Sequence, residues 1–157
     1  IGPTVDYYSD NDSVTAALKI AEAFNPNSTL IPHNRTHGLS HALMIPESST
    51  HLFSGQVALV QLGLNPRVIH DSLAMAADFT EHGFDLSGNS RAAALVELRQ
   101  ALDDAKDFSR NKKAALAGDH RNYELYYADL AALESGVKGS KQLLVHTNHA
   151  SDIRTVT

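Results

Sequence analysis

The sequence predicts an α/β layer whose strands pair mainly in parallel. Short apolar runs bounded by Gly, Pro and polar residues alternate with stretches whose apolar residues recur at helical spacing. The last of these runs, residues 143–145, is apolar throughout rather than alternating, which is the pattern of a buried parallel strand. A chain of 157 residues with 43% hydrophobic content is long enough for one domain with a sizeable core.

Taken in order, Asp10-Asn-Asp-Ser13 offers capping oxygens, and Val14, Ala17, Leu18, Ala21 and Phe24 follow at helical spacing before Asn25-Pro26, so a first helix is expected over 14–24. The compact apolar run within 38–46, between Gly38 and Pro46, is a strand candidate. Residues 47–50 and 54–55 read as loops around Leu52-Phe53, and 57–62 as a strand closed by Gly63 and Pro66. A third strand is placed near 73–77 and a loop over 83–90. Residues 91–109 give the clearest helix, with Ala94, Leu95, Leu98, Leu102 and Ala105 in one stripe and Arg99 and Asp103 one turn apart. A solvated connector leads to a helix over about 122–135 with Tyr126, Leu130, Leu133 and Val137 on one side. The strand at 143–145 then delivers His146, and a further helix begins near Ala150.

His146 is the candidate site residue. At the C-terminal edge of a parallel strand it occupies the position where α/β sheets and barrels hold their ligands, and a neutral imidazole suits Zn²⁺ and other borderline metals. The competing reading is a histidine that ends the strand and bonds a backbone carbonyl. His33, His37 and His41 recur every four residues, which on a helix aligns three imidazoles; Pro32 and Gly38 argue against a regular helix there. His51, His70, His82 and His120 fall in predicted loops or edges, the ordinary place for solvated histidine. Ser54-Gly55-Gln56 reads as a turn before a strand. No Gly-x-Gly-x-x-Gly, phosphate loop or Gly-x-Ser-x-Gly elbow is present.

Composition narrows the partners. A net charge of -5 gives no attraction to nucleic acid or anionic membrane. No apolar stretch approaches the roughly 20 residues of a bilayer span. The absence of cysteine excludes disulfides, thiolate ligands and a cysteine nucleophile. A start at Ile1 without methionine, and an end at Thr157 just inside a new helix, lead us to expect a piece of a longer protein.

Six segments in order carry a resemblance: Phe24-Asn-Pro-Asn27, Ile31-Pro-x-Asn34-Arg35, Gly38-Leu-Ser-His-Ala-Leu-Met-Ile-Pro46, Phe53-Ser-Gly-Gln56, Ser90-Arg-Ala-Ala-Ala-Leu-x-Glu-Leu-Arg99 and Leu144-Val-His146-x-x-x-Ala-Ser-Asp152-Ile153. Together they resemble the central part of the amidohydrolase superfamily, and more narrowly its imidazolonepropionase-like bacterial exported members. The resemblance implies a partial (β/α)8 TIM barrel of the metal-dependent hydrolase type, with parallel strands alternating with helices. Residues 1–157 would then be a central fragment of the catalytic barrel, truncated at both ends.

It further implies a divalent metal, zinc by preference, and a metal-activated water that hydrolyses a non-peptide or cyclic amide C–N bond. His146 matches the histidine that follows the fifth barrel strand. The His-x-His of the first strand would precede Ile1, and the sixth-strand histidine and eighth-strand aspartate would follow Thr157. Asp152 and His149 are expected outside the metal's immediate ligands, Asp152 as a helix-start acid. Two departures stand out: no lysine lies in the segment 73–76 where some relatives carry a metal-bridging one, and Val-His146-Thr-Asn148-His149 replaces Val-His-x-His-Arg. The implied partners are a small-molecule amide and either the remainder of the parent chain or further copies. The implied location is periplasmic or secreted, with the cytoplasm as the other possibility. A second class of function stays open, a noncatalytic structural fragment or a metal-free relative used for binding or scaffolding. On either view the isolated chain is expected to be inactive.

Overall fold

The computed structural model describes residues 7–156. The expectations tied to Ile1 and Thr157 lie outside the described residues. Two short strands, β1 (Tyr8–Ser9) and β3 (Glu47–Ser48), pair in parallel beside a four-stranded sheet of β2 (His41–Met44), β4 (Phe53–Gln61), β5 (Arg67–Phe79) and β6 (Gln142–Thr147), ordered β2-β4-β5-β6. The sheet curls like half of a barrel. Among the described residues five α-helices accompany it: α1 (Leu30–Thr36), α2 (Glu81–Leu86), α3 (Arg91–Ala117), α4 (Tyr127–Val137) and α5 (Ala150–Val156).

The sheet is mixed, which corrects the expectation of parallel strands alternating with helices. Only β5 and β6 run parallel within it, while β2–β4 and β4–β5 are antiparallel. Connection length explains this. Residues 62–66 join β4 to β5, and so short a link permits a hairpin, whereas a parallel pair needs a crossover of a dozen or more residues. Between β5 and β6 the chain has that room, and it fills it with α2, α3 and α4.

The core lies between the sheet and the α3–α4 pair. On α3, Ala94, Leu98, Ala101, Ala105 and Phe108 are buried at successive steps of three and four residues. They pack with Met75, Ala77 and Phe79 of β5 and with Leu130 and Leu133 of α4. The predicted stripe on α3 is therefore shifted by a fraction of a turn, with Leu95 and Leu102 half-buried at its margin. Ser90 caps α3 by accepting the Ala93 N–H at 3.2 Å. The helix continues beyond 109 to Ala117 across a kink at Asn111, and Asp103 pairs with Lys106 at 3.0 Å.

The helix expected over 14–24 does not form; only a 3₁₀ turn at Ile20–Ala23 is present. Tertiary contacts take the backbone groups that a helix would have used. The fully buried Asp129 of α4 accepts the N–H groups of Thr15 at 3.0 Å and Ala17 at 2.7 Å, and Leu18 O accepts Gln56 N–H at 2.7 Å. That last contact explains Gly55: a Cβ there would stand 2.7 Å from Leu18 O. Ser54-Gly55-Gln56 is accordingly strand rather than turn, buried where segment 15–20 crosses β4. The opposite correction applies at α1, where a helix forms despite Pro32. Proline in a first helical turn removes no intrahelical hydrogen bond, and Gly38 lies beyond the last turn. The loop predicted over 83–90 likewise begins as helix α2.

Candidate functional site

The parallel register between β5 and β6 sets Asp78 opposite His146, so the two side chains emerge side by side at the C-terminal edge of the pair. A cavity of about 550 Å³ opens there, with Ile45, Pro46, Ala76 and Leu144 among its apolar walls; Asp78, His82 and His146 face it from the β5 and β6 ends, and Glu47 and Tyr8 line it from the β1–β3 side. His146 is placed where the sequence predicts it. Its surroundings differ, since β6 is an exposed edge rather than a buried strand: Leu143 and Leu144 are 37% and 38% exposed, because β6 has a neighbour on one side only. The imidazole of His146 is 74% exposed, with Nδ1 3.9 Å from Asp78 Oδ1.

Asp78 and His82 are the site residues that sequence reasoning missed. Asp78 ends the apolar run of β5, and its Oδ1 accepts the Thr80 backbone N–H at 2.9 Å. His82, four residues on, folds back from the first turn of α2 so that Nδ1 stands 3.0 Å from Asp78 Oδ2. A glycine makes this return possible. A Cβ on Gly83 would lie 2.0 Å from Asp78 O, a distance no side chain tolerates. In the sequence the pair leaves only a weak trace, an aspartate at a strand end followed at i+4 by histidine, just beyond the segment 73–76.

A second set of contacts ties the loop after β6 to α2. Glu81 accepts from Asn148 Nδ2 at 2.8 Å and pairs with His149 Nε2 at 2.7 Å. The hydrogen bond from its own backbone N–H, then those from Asn148 and His149, hold the Glu81 carboxyl down to about 2. His149 therefore serves the loop and does not line the cavity. Asp152, buried in the first turn of α5, is bonded by Arg91 Nε at 3.2 Å, so it joins α5 to the start of α3.

The other histidines divide. His33 of α1 and His37, which caps that helix at its C-terminal end, meet with ring centroids 4.7 Å apart, whereas His41 stands on β2. His120 packs against Tyr123 beside Asp107, away from the cavity. Among the described residues, no group of three or more His, Asp or Glu side chains is arranged to hold a metal ion. None of the described helices is long and apolar enough to cross a membrane.

No protein-family profile and no curated protein matches the sequence. A crystal structure of an amidohydrolase from Thermotoga maritima MSB8 superposes on the chain with a TM-score of 0.75 at 19% sequence identity, over 93% of this chain and 40% of that one. The chain thus spans two fifths of the length of the protein it matches, and at this identity what the two share is a fold. The protein has the mixed α/β architecture of a section of an amidohydrolase structure, with a cavity bearing Asp78, His82 and His146 at the C-terminal edge of β5 and β6.

Proposed function

We propose that the chain is a middle section of the barrel of a metal-dependent amidohydrolase, with His146 one ligand of a divalent metal, zinc by preference. The observation that carries this is the position of His146: it ends β6 on the cavity side, at the strand edge that holds ligands in parallel α/β folds, within a fold shared with an amidohydrolase structure. An exposed imidazole beside a carboxylate fits a first-row divalent cation, and a second-sphere carboxylate is a common companion of a ligating histidine. Such a metal, when bound, lowers the pKa of its water and polarises a carbonyl. The apolar walls and few polar groups of the cavity suit a small-molecule amide or cyclic amide.

One imidazole does not make a catalytic zinc site, which ordinarily has three protein ligands and an open position. The remaining ligands belong, on this proposal, to the rest of the parent chain, which pairs with the open side of β6 and covers Leu143 and Leu144; self-association through the same edge is the substitute when the parent chain is absent. Kinship with imidazolonepropionase-like exported proteins, and with it a periplasmic or secreted location, is part of the same proposal.

Elemental analysis tests it. The parent protein should carry zinc or a related metal and hydrolyse an N-acyl or cyclic amide until a chelator is added, and His146→Ala should lose both metal and turnover. The 157-residue chain alone should show no turnover. Full metal content in His146→Ala makes the histidine structural and returns the protein to the class of metal-free binding or scaffold relatives.

A further inference from the structure

We propose that Asp78 and His82 form a proton-transfer pair at this cavity, with Asp78 as the positioning residue and His82 Nε2 as the proton acceptor. The identity of the step rests on the hydrolytic reading above, while the geometry of the pair stands independently of it. Asp78 is itself fixed, with Oδ1 accepting the Thr80 N–H at 2.9 Å and Oδ2 facing His82 Nδ1 at 3.0 Å. A carboxylate offers only lone pairs, so the nitrogen facing it carries the hydrogen. The neutral imidazole then keeps its free lone pair on Nε2. His82 lines the cavity together with His146, and Asp78 stands between the two imidazoles, 3.0 Å from one and 3.9 Å from the other.

The local fold is built to hold this pair. Thr80, at the start of α2, turns the chain over Asp78, and the contact that excludes any Cβ at position 83 presses α2 onto the Asp78 carbonyl. His82 is thereby returned to a carboxylate it would otherwise leave behind at the end of β5.

In hydrolysis the accounting is complete without a further reactant. As water adds to the amide carbonyl, its O–H bond breaks and the proton forms an N–H bond at His82 Nε2. When the C–N bond breaks, that proton passes to the leaving nitrogen, and the imidazole returns neutral. The chain thus brings its own proton carrier to the cavity, in addition to the acidic residue that the resemblance places after Thr157.

The test is a long-range ¹H–¹⁵N correlation spectrum of the histidine-labelled protein, recorded without metal or substrate at a pH where imidazoles are neutral, with His82→Gln identifying the signal. His82 should be the Nδ1–H tautomer in the unaltered protein, and Asp78→Ala should release that preference. An Nε2–H tautomer in the unaltered protein overturns the pairing. In the metal-loaded parent, His82→Gln should retain its metal and lose turnover by roughly 100-fold or more, the scale of general acid–base catalysis; unchanged turnover overturns the catalytic half. Because the tautomer is read with no metal present, a failed metal assignment for His146 and a failed dyad give different results.

Discussion

At the start of β6 the Lys141 amine donates to Gln56 Oε1 at 2.9 Å and contacts the Ser72 hydroxyl, while at the far end of the same strand His146 stands 74% exposed beside Asp78. The first group is closed. Gln56, Ser72 and Lys141 bond one another and join β4, β5 and the entry to β6, with Gln56 itself buried. The second is open, its ionisable groups arranged around a cavity with bonding capacity left over. Polar groups that satisfy each other fasten a structure, and those left facing a cavity can engage a ligand. On the function proposed above, this division follows the general rule for α/β barrels, in which one strand edge serves stability and the other chemistry.

Several substitutions sharpen the contrast. The largest effect on stability should come from Gly83→Ala, although it adds one methyl group. With Asp78 O 2.0 Å from the new Cβ, α2 must move off β5, and a cost of about 3 kcal/mol is expected, near the top of the range for overpacking. Denaturant unfolding measures it, and a variant as stable as the parent would show that α2 does not rest on Asp78 as described.

Lys141→Met tests the closed end. Losing the amine should cost about 1 kcal/mol in urea unfolding, since Gln56 retains the Ser72 hydroxyl. Burial, then the nearby Lys19, holds the Lys141 amine below the ordinary lysine value. The unfolded chain therefore binds that proton more tightly, so unfolding free energy should rise with pH between the folded value and the ordinary one. In Lys141→Met this alkaline rise should disappear.

Glu81→Gln probes the link between the two loops at the open end. With the carboxyl held at about 2 against an ordinary 4.5, its contribution is present above pH 4.5 and lost as pH falls towards 2. Amide protection in residues 148–152, taken relative to intrinsic exchange, should fall over that acid interval in the unaltered chain and stay insensitive to it in Glu81→Gln. The smallest change in stability should come from His146→Ala, within about 0.5 kcal/mol, as befits an exposed side chain away from the core. A large loss of stability there would place His146 with the structural groups.

Much of this division was legible in the sequence, and what was not has identifiable causes. The apolar run before His146 and the stripes of α3 and α4 are local patterns, and each led to a real element. The antiparallel pairing of β4 and β5 was also written in the chain, in the five residues 62–66, but strand alternation alone conceals it. Segment 14–24 misled because helical spacing there meets a distant demand, the buried Asp129 taking its N–H groups. At the site, His146 could be found from one strand. Asp78 and His82 could not be singled out without the contact at Gly83, which depends on α2 folding back over the strand it follows.

The most direct measurement is anomalous scattering at the zinc edge from crystals of the longer protein proposed above. The account predicts a peak in the cavity at the C-terminal edge of β5 and β6, about 2.0–2.1 Å from a ring nitrogen of His146. A metal peak elsewhere, such as between His33 and His37 at the C-terminal end of α1, with His146 left uncoordinated, would contradict it.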